Sequence, residues 1–221
     1  MYSNATREEL IKQIEDRRLI VIMRNIPESG IIEAVEAMYE GGIRFAELTF
    51  DQSGAVSDTE TARVIGRLAE RFAGRVTIGA GTVIDPAEVE LAADAGAGFI
   101  ISPNSDSSVI ERTRELGLIS IPGAMTVSEI TADYRCGADF VKVFPSSLLG
   151  TAFFKAVRAP LPMIRLLAVN GIGLSDIPAY LDAGAAGFGI GGAIVNHDRV
   201  VGGRFDEVRE SAALYAAACG K

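Results

Sequence analysis

Cysteine, histidine, lysine and long apolar runs are all scarce in this sequence, and each scarcity removes a class of protein. Two cysteines, Cys136 and Cys219, do not make a disulfide scaffold, so a reducing cytosol is the expected compartment. The single histidine, His197, lies in the polar run Val195-Asn196-His197-Asp198, where a surface residue is the plain expectation. With no second histidine, a histidine-based metal site or a Ser-His triad has little support. The longest apolar stretches fall far short of a membrane span, and Met1 to Arg18 is polar and charged, unlike a secretory leader. Basic charge is short as well. The net charge of −8 argues against nucleic acid or an anionic membrane as the main partner. A small anionic substrate is compatible with it, because a local site can oppose the global sign. The expectation is a soluble, cytoplasmic protein.

What is present is one unit repeated. The 221 residues, 48% of them hydrophobic and 24 of them glycine, suit one domain spanning residues 1–221. Short β-branched runs alternate with stretches of helical period. The expected strands are Leu19–Met23, Phe45–Phe50, Val76–Gly79, Phe99–Ser102, Ile119–Pro122, Phe140–Phe144, Ile164–Ala168 and Gly187–Ile190. They are apolar throughout rather than alternating, as parallel strands buried on both faces are. Asp85-Pro86-Ala87-Glu88 carries an N-cap, a first-turn proline and an early acid, which opens a helix. Glycines at Gly42, Gly96, Gly117, Gly137 and Gly184 each stand a few residues before a strand, where a left-handed residue stops a helix. Eight strands, each followed by a helix, predict an α/β fold, a single (β/α)8 TIM barrel. Ala5–Arg17, with Leu10, Ile11 and Ile14 at helical spacing, predicts a short N-terminal helix within residues 1–18 that caps the barrel bottom.

In such a barrel the chemistry lies at the C-terminal ends of the strands. That gathers Arg24, Glu47, Thr49, Asp51, Thr82, Pro103, Asn104, Lys142, Phe144, Asn170 and Gly191 around one mouth. Of four lysines, only Lys142 sits inside an apolar strand, Phe140-Val141-Lys142-Val143-Phe144. Burying an ammonium is costly and lowers its pKa, and a neutral amine is what attack on a ketone requires. A lysine snorkelling from the strand end, or paired with Glu47 for structure alone, fits the same pattern. Glu47 shares the inward face with Phe45 by the period of two, so it is either Lys142's ion-pair partner or an acid that shuttles protons beside an imine. Glycine-rich ends at Asn170-Gly171 and at Gly191-Gly192-Ala193, on strands seven and eight, suit an anion held by backbone N–H groups.

Six motifs in order then resemble the KDPG/KHG aldolase family. They are Ala46-Glu47-Leu48-Thr49, Gly79-Ala80-Gly81-Thr82-Val83, Ile101-Ser102-Pro103, Ile121-Pro122-Gly123, Thr126-Val127-Ser128-Glu129 and Lys142-Val143-Phe144-Pro145. The resemblance implies a class I aldolase that releases pyruvate from a 4-hydroxy-2-keto acid. In it Lys142 forms the Schiff base, Glu47 moves protons through a water, Thr82 bonds the substrate carboxylate, and Pro103 and Phe144 wall the pocket. The protonated imine is the electron sink, so neither metal nor organic cofactor is expected. The resemblance also implies a homotrimer.

Three positions depart from the family pattern. Asp51 stands where relatives often carry a carboxylate-binding arginine, so Arg24, at the end of strand one, is the expected substitute. Val169-Asn170-Gly171 replaces a Thr-Gly-Gly phosphate turn, and Ala193 replaces a phosphate-binding serine. Asn170, Gly171, Gly191 and Gly192 remain as the expected contacts to the far end of the substrate. Other functions stay open at this point: a barrel phosphate-ester isomerase or synthase, a metabolite-binding relative without turnover, and, more remotely, a divalent-metal aldolase using Glu47 and Asp51.

Overall fold

Runs with no polar alternation must be covered on both sides, and a parallel sheet wrapped by helices does this. In the computed structural model, which describes residues 6–220, the strands are β1 (Leu19–Met23), β2 (Phe45–Thr49), β3 (Thr77–Gly81), β4 (Phe99–Ile101), β5 (Ile119–Ile121), β6 (Gly123–Ala124), β7 (Val141–Val143), β8 (Leu166–Val169) and β9 (Gly187–Ile190). All their pairings are parallel, in the order β5-β4-β3-β2-β1-β9-β8-β7-β6. β5 and β6 are two halves of one stave, broken at Pro122. Proline has no N–H for the ladder, but its carbonyl still accepts from Lys142 N–H at 2.8 Å. Eight staves therefore close the barrel, and the fifth runs two residues past its expected end. The eighth strand in sequence terms, Gly187–Ile190, and the first have the expected bounds. Ile164 lies before β8, where its N–H turns back onto Leu161.

The helices are α1 (Arg7–Arg17), α2 (Ile31–Glu40), α3 (Asp58–Arg71), α4 (Pro86–Asp94), α5 (Ser107–Glu115), α6 (Val127–Cys136), α7 (Ser146–Arg158), α8 (Ile177–Asp182), α9 (His197–Val201) and α10 (Phe205–Cys219). Ala5, the expected start of α1, lies outside the described residues. α4 begins as expected: Asp85 caps it through Ala87 N–H, and Glu88 returns to Asp85 N–H. The five helix-ending glycines have φ between +75° and +97°. No helix of the described residues is long and apolar enough to cross a membrane.

Two cores result. The outer one lies between strands and helices. The inner one fills the lower barrel with Ile20, Phe45, Phe99, Ile119 and Phe140, closed from below by Leu10 and Ile14 of α1. Each such side chain contributes about 1.5–3 kcal/mol when fully buried. Above this packed lower half the barrel opens toward the C-terminal ends of its strands, where a cavity lies.

Candidate active site

Side chains alternate across a strand, so Phe45 and Phe140 at the barrel floor bring Glu47 and Lys142 onto the inward face one layer higher. Both are buried, Glu47 at 1% exposure and Lys142 at 5%. Gly81, on the neighbouring strand, makes room for the acid: a Cβ there would stand 2.6 Å from the Glu47 carboxylate. Glu47 Oε2 has no hydrogen-bond partner among the described residues. No hydrogen bond or ion-pair contact joins it to Lys142, so the structural ion pair anticipated as one alternative does not form. The two groups instead line one cavity and act on each other through their charges.

Burial dominates the titration of both. It pushes the Glu47 carboxyl up to about 7, against the attraction of Lys142 and Arg24. It also lowers the Lys142 amine from its usual value, with Glu47 opposing the shift and Arg24 reinforcing it. The amine is thus drawn toward its nucleophilic form beside an acid able to hold or release a proton near neutral pH. Lys142 Nζ lies 4.6 Å from the centre of the Phe144 ring.

Above this pair opens a cavity of about 620 Å³. It is lined by Arg24, Glu47, Lys142, Phe144, Asn170, Gly171, Gly191 and Gly192, eight of the ten residues expected at the site. Thr82 is not in the lining but adjoins it, because Arg24 Nη2 donates to Thr82 Oγ1 at 2.9 Å. Thr82 has φ +58°, a conformation that a β-branched residue rarely adopts. Pro103 is not brought into this cavity. It is half-buried after β4, with its carbonyl against Gly123, where a Cβ would approach to 2.4 Å.

The far end of the cavity is backbone-rich. Asn170 and Gly171 turn consecutively through φ +79° and +72°. The Asn170 side chain and carbonyl accept from Ser147 Oγ and Ser147 N–H, both at 3.2 Å. The Gly191 carbonyl accepts from Ile194 and Val195 N–H, and Asn196 Nδ2 donates to the Gly192 carbonyl at 3.0 Å. Ala193 lines the same end and brings no hydroxyl to it.

Asp51 does not line the cavity that holds Lys142. Its carboxylate accepts from Ser53 N–H, Ser53 Oγ and Val56 N–H, which hold it down to about 2, the Ser53 hydroxyl most strongly. It shapes the loop between β2 and α3, and among the described residues no three His, Cys, Asp or Glu side chains gather as metal ligands would. His197 was expected on the surface. It is largely exposed, yet it begins α9 and rims the cavity together with Asn25, Asn196 and Tyr215. Tyr215 carried no signal in the sequence, being one apolar-stripe residue of a C-terminal helix.

A lysine whose pKa burial lowers, an acid raised by the same burial and a cation at the mouth define a site for imine-forming lyase chemistry on a barrel. A model of the KDPG and KHG aldolase family matches residues 10–211. The chain belongs to this family. It is 32% identical over 174 residues, 78% of its length and 82% of the relative's, to 2-dehydro-3-deoxy-6-phosphogalactonate aldolase of Escherichia coli K12. It is 29% identical to 2-dehydro-3-deoxy-phosphogluconate aldolase of Pseudomonas aeruginosa, over 75% of this chain and 73% of that one. Among solved structures, one described as native KDPGal superposes with a TM-score of 0.81 at 30% identity, over 90% of this chain and 93% of that one.

Proposed function

We propose that the chain is a class I aldolase that reversibly cleaves a 4-hydroxy-2-keto acid to pyruvate and an aldehyde. The observation that carries this is the buried, inward Lys142 lining one cavity with the buried Glu47, in a chain of the KDPG and KHG aldolase family. Lys142 Nζ adds to the C2 carbonyl, and the carbinolamine loses water to give a protonated imine. Glu47, through a water, takes the proton of the C4 hydroxyl. The C3–C4 bond breaks, its electron pair flows into the iminium as an enamine, and the aldehyde departs. Glu47 then returns the proton to C3, and hydrolysis of the imine frees pyruvate and the amine.

Arg24, supported by Thr82, is the donor for the keto acid's carboxylate in place of an arginine at Asp51. Phe144, which lines the cavity, is assigned its wall, while Pro103 lies outside it. Asn170, Gly171, Gly191 and Gly192 receive the group at the far end of the substrate. The relatives named for 6-phospho sugar acids favour a phosphate there, held by backbone N–H groups without the usual hydroxyls. The same reading has the protein act as a homotrimer in the cytoplasm. Exposed Met125, Val127 and Leu148 offer uncovered apolar surface for subunit contact, and Cys136 and Cys219 are free thiols.

The test is pyruvate release from phosphorylated and unphosphorylated 4-hydroxy-2-keto acids, with Lys142→Ala alongside. The proposal expects turnover of at least one substrate by the unsubstituted protein and none by the variant. Turnover that survives Lys142→Ala would overturn it and favour other barrel chemistry.

A further inference from the structure

The loop after β2 holds an amide that joins two other loops. Gln52 Nε2 donates to the Thr82 carbonyl at 3.0 Å and to Glu88 Oε1 at 2.5 Å. Neither end of this bridge is free to drift. Glu88 is buried at 5% exposure, and its other oxygen accepts from Ile84 N–H at 2.6 Å and Asp85 N–H at 3.2 Å, which fixes it at the start of α4. On the near side Asp51 pins its own loop through Ser53 and Val56. The residue that departs from the family pattern thus anchors the loop from which Gln52 reaches across.

The residue that Gln52 grips is one that needs holding. Both neighbours of Thr82 belong to the barrel ladder, where Gly81 O accepts from Phe50 N–H and Val83 N–H donates to Ile101 O. Thr82 stands between them at φ +58°, against the preference of a β-branched side chain. Its hydroxyl accepts from Arg24 Nη2, and Arg24 lines the cavity beside Lys142 and Glu47. Two hydrogen bonds through one strained residue therefore connect Gln52 to the cation at the mouth.

We propose that Gln52 is a positioning residue for carboxylate recognition: it locks Thr82 left-handed, so that the Thr82 hydroxyl holds the Arg24 guanidinium where a 2-keto acid's carboxylate arrives. The inference rests on the imine-forming reading above and fails separately from it. A bridge that merely stiffened the loops would weaken every ligand of Lys142 alike. A bridge that aims Arg24 weakens only ligands that carry the anionic carboxylate.

The experiment is borohydride trapping of ketones on the full-length protein, with the trapping rate followed against ketone concentration. Pyruvate and methyl pyruvate are compared, because the ester has the same ketone and no anionic oxygens. Gln52→Met keeps the side chain's length and removes its donors, and Gln52→Ala takes its place should that variant not fold. Half-saturating pyruvate is expected to rise about tenfold, as loss of an aligned charge-assisted contact does. The maximal trapping rate and the methyl pyruvate half-saturation stay unchanged. Gln52→Lys, which restores a donor to both oxygens, is expected to recover most of the pyruvate affinity. Unchanged pyruvate saturation, or equal shifts for both ketones, would overturn the inference. Absence of trapping in the unsubstituted protein would overturn the imine reading, and this inference with it, before any variant is compared.

Discussion

Desolvating an acid and an amine in one apolar barrel moves both toward neutrality. Glu47, pushed up to about 7, is divided between its two forms near neutral pH and so can take a proton and give it back. Glu47→Gln keeps the shape and removes the titration. Turnover is expected to fall by about 10²–10⁴-fold, while pyruvate still forms a trappable imine on Lys142. Stability should move the other way. The carboxyl binds its proton more tightly in the folded chain than in the unfolded one, so its contribution is full below about 4.5 and is lost as pH climbs through about 7. The variant should therefore gain on the parent at pH 8 relative to pH 5, by about 1–3 kcal/mol. Urea unfolding at the two pH values measures this, and an equal difference at both would contradict it.

At the scale of the element, strand β3 carries two glycines that are required for different reasons. A Cβ at Gly79 would stand 2.3 Å from the Phe99 ring, in the packed floor of the barrel. A Cβ at Gly81 meets the Glu47 carboxylate instead. Gly79→Ala should cost about 1–3 kcal/mol of stability by overpacking. Gly81→Ala should cost little stability but about 100-fold in kcat, because it displaces the proton-transfer group. Thermal melts and steady-state rates of the pair separate the two effects, and matching phenotypes would count against the assigned roles. Much of this layering was legible in the sequence, because a period of two is enough to bring Phe45 with Glu47, and Phe140 with Lys142, onto one face. The break at Pro122 was not, since it depends on a neighbouring strand still bonding to the proline carbonyl. The Gln52 bridge was equally hidden. It joins residues 36 positions apart through side chains alone, and no periodicity marks such a contact.

For the whole molecule, the solid lower barrel fixes where chemistry takes place. Leu10 and Ile14 of α1 seal the floor, so α1 is part of the core and not an appendage. Ile14→Ala should destabilise the fold by about 2–5 kcal/mol and leave the kcat of the folded fraction unchanged. A lowered kcat at full folding would mean that the floor and the mouth are coupled. The mouth itself was only partly legible. Eight of the ten expected residues line one cavity, but Pro103 stands outside it, and His197 and Tyr215, which gave no usable signal, rim it. Loop-end positions of this kind are set by how neighbouring staves stagger, which residue spacing does not encode.

The central claim is that Lys142 is the nucleophile, and borohydride reduction in the presence of pyruvate tests it most directly. Peptide mapping of the inactivated protein should place a reduced pyruvyl group on Lys142 and on none of Lys12, Lys155 or Lys221. An unmodified Lys142 in a protein inactivated by that treatment, or no adduct at all, would contradict the account.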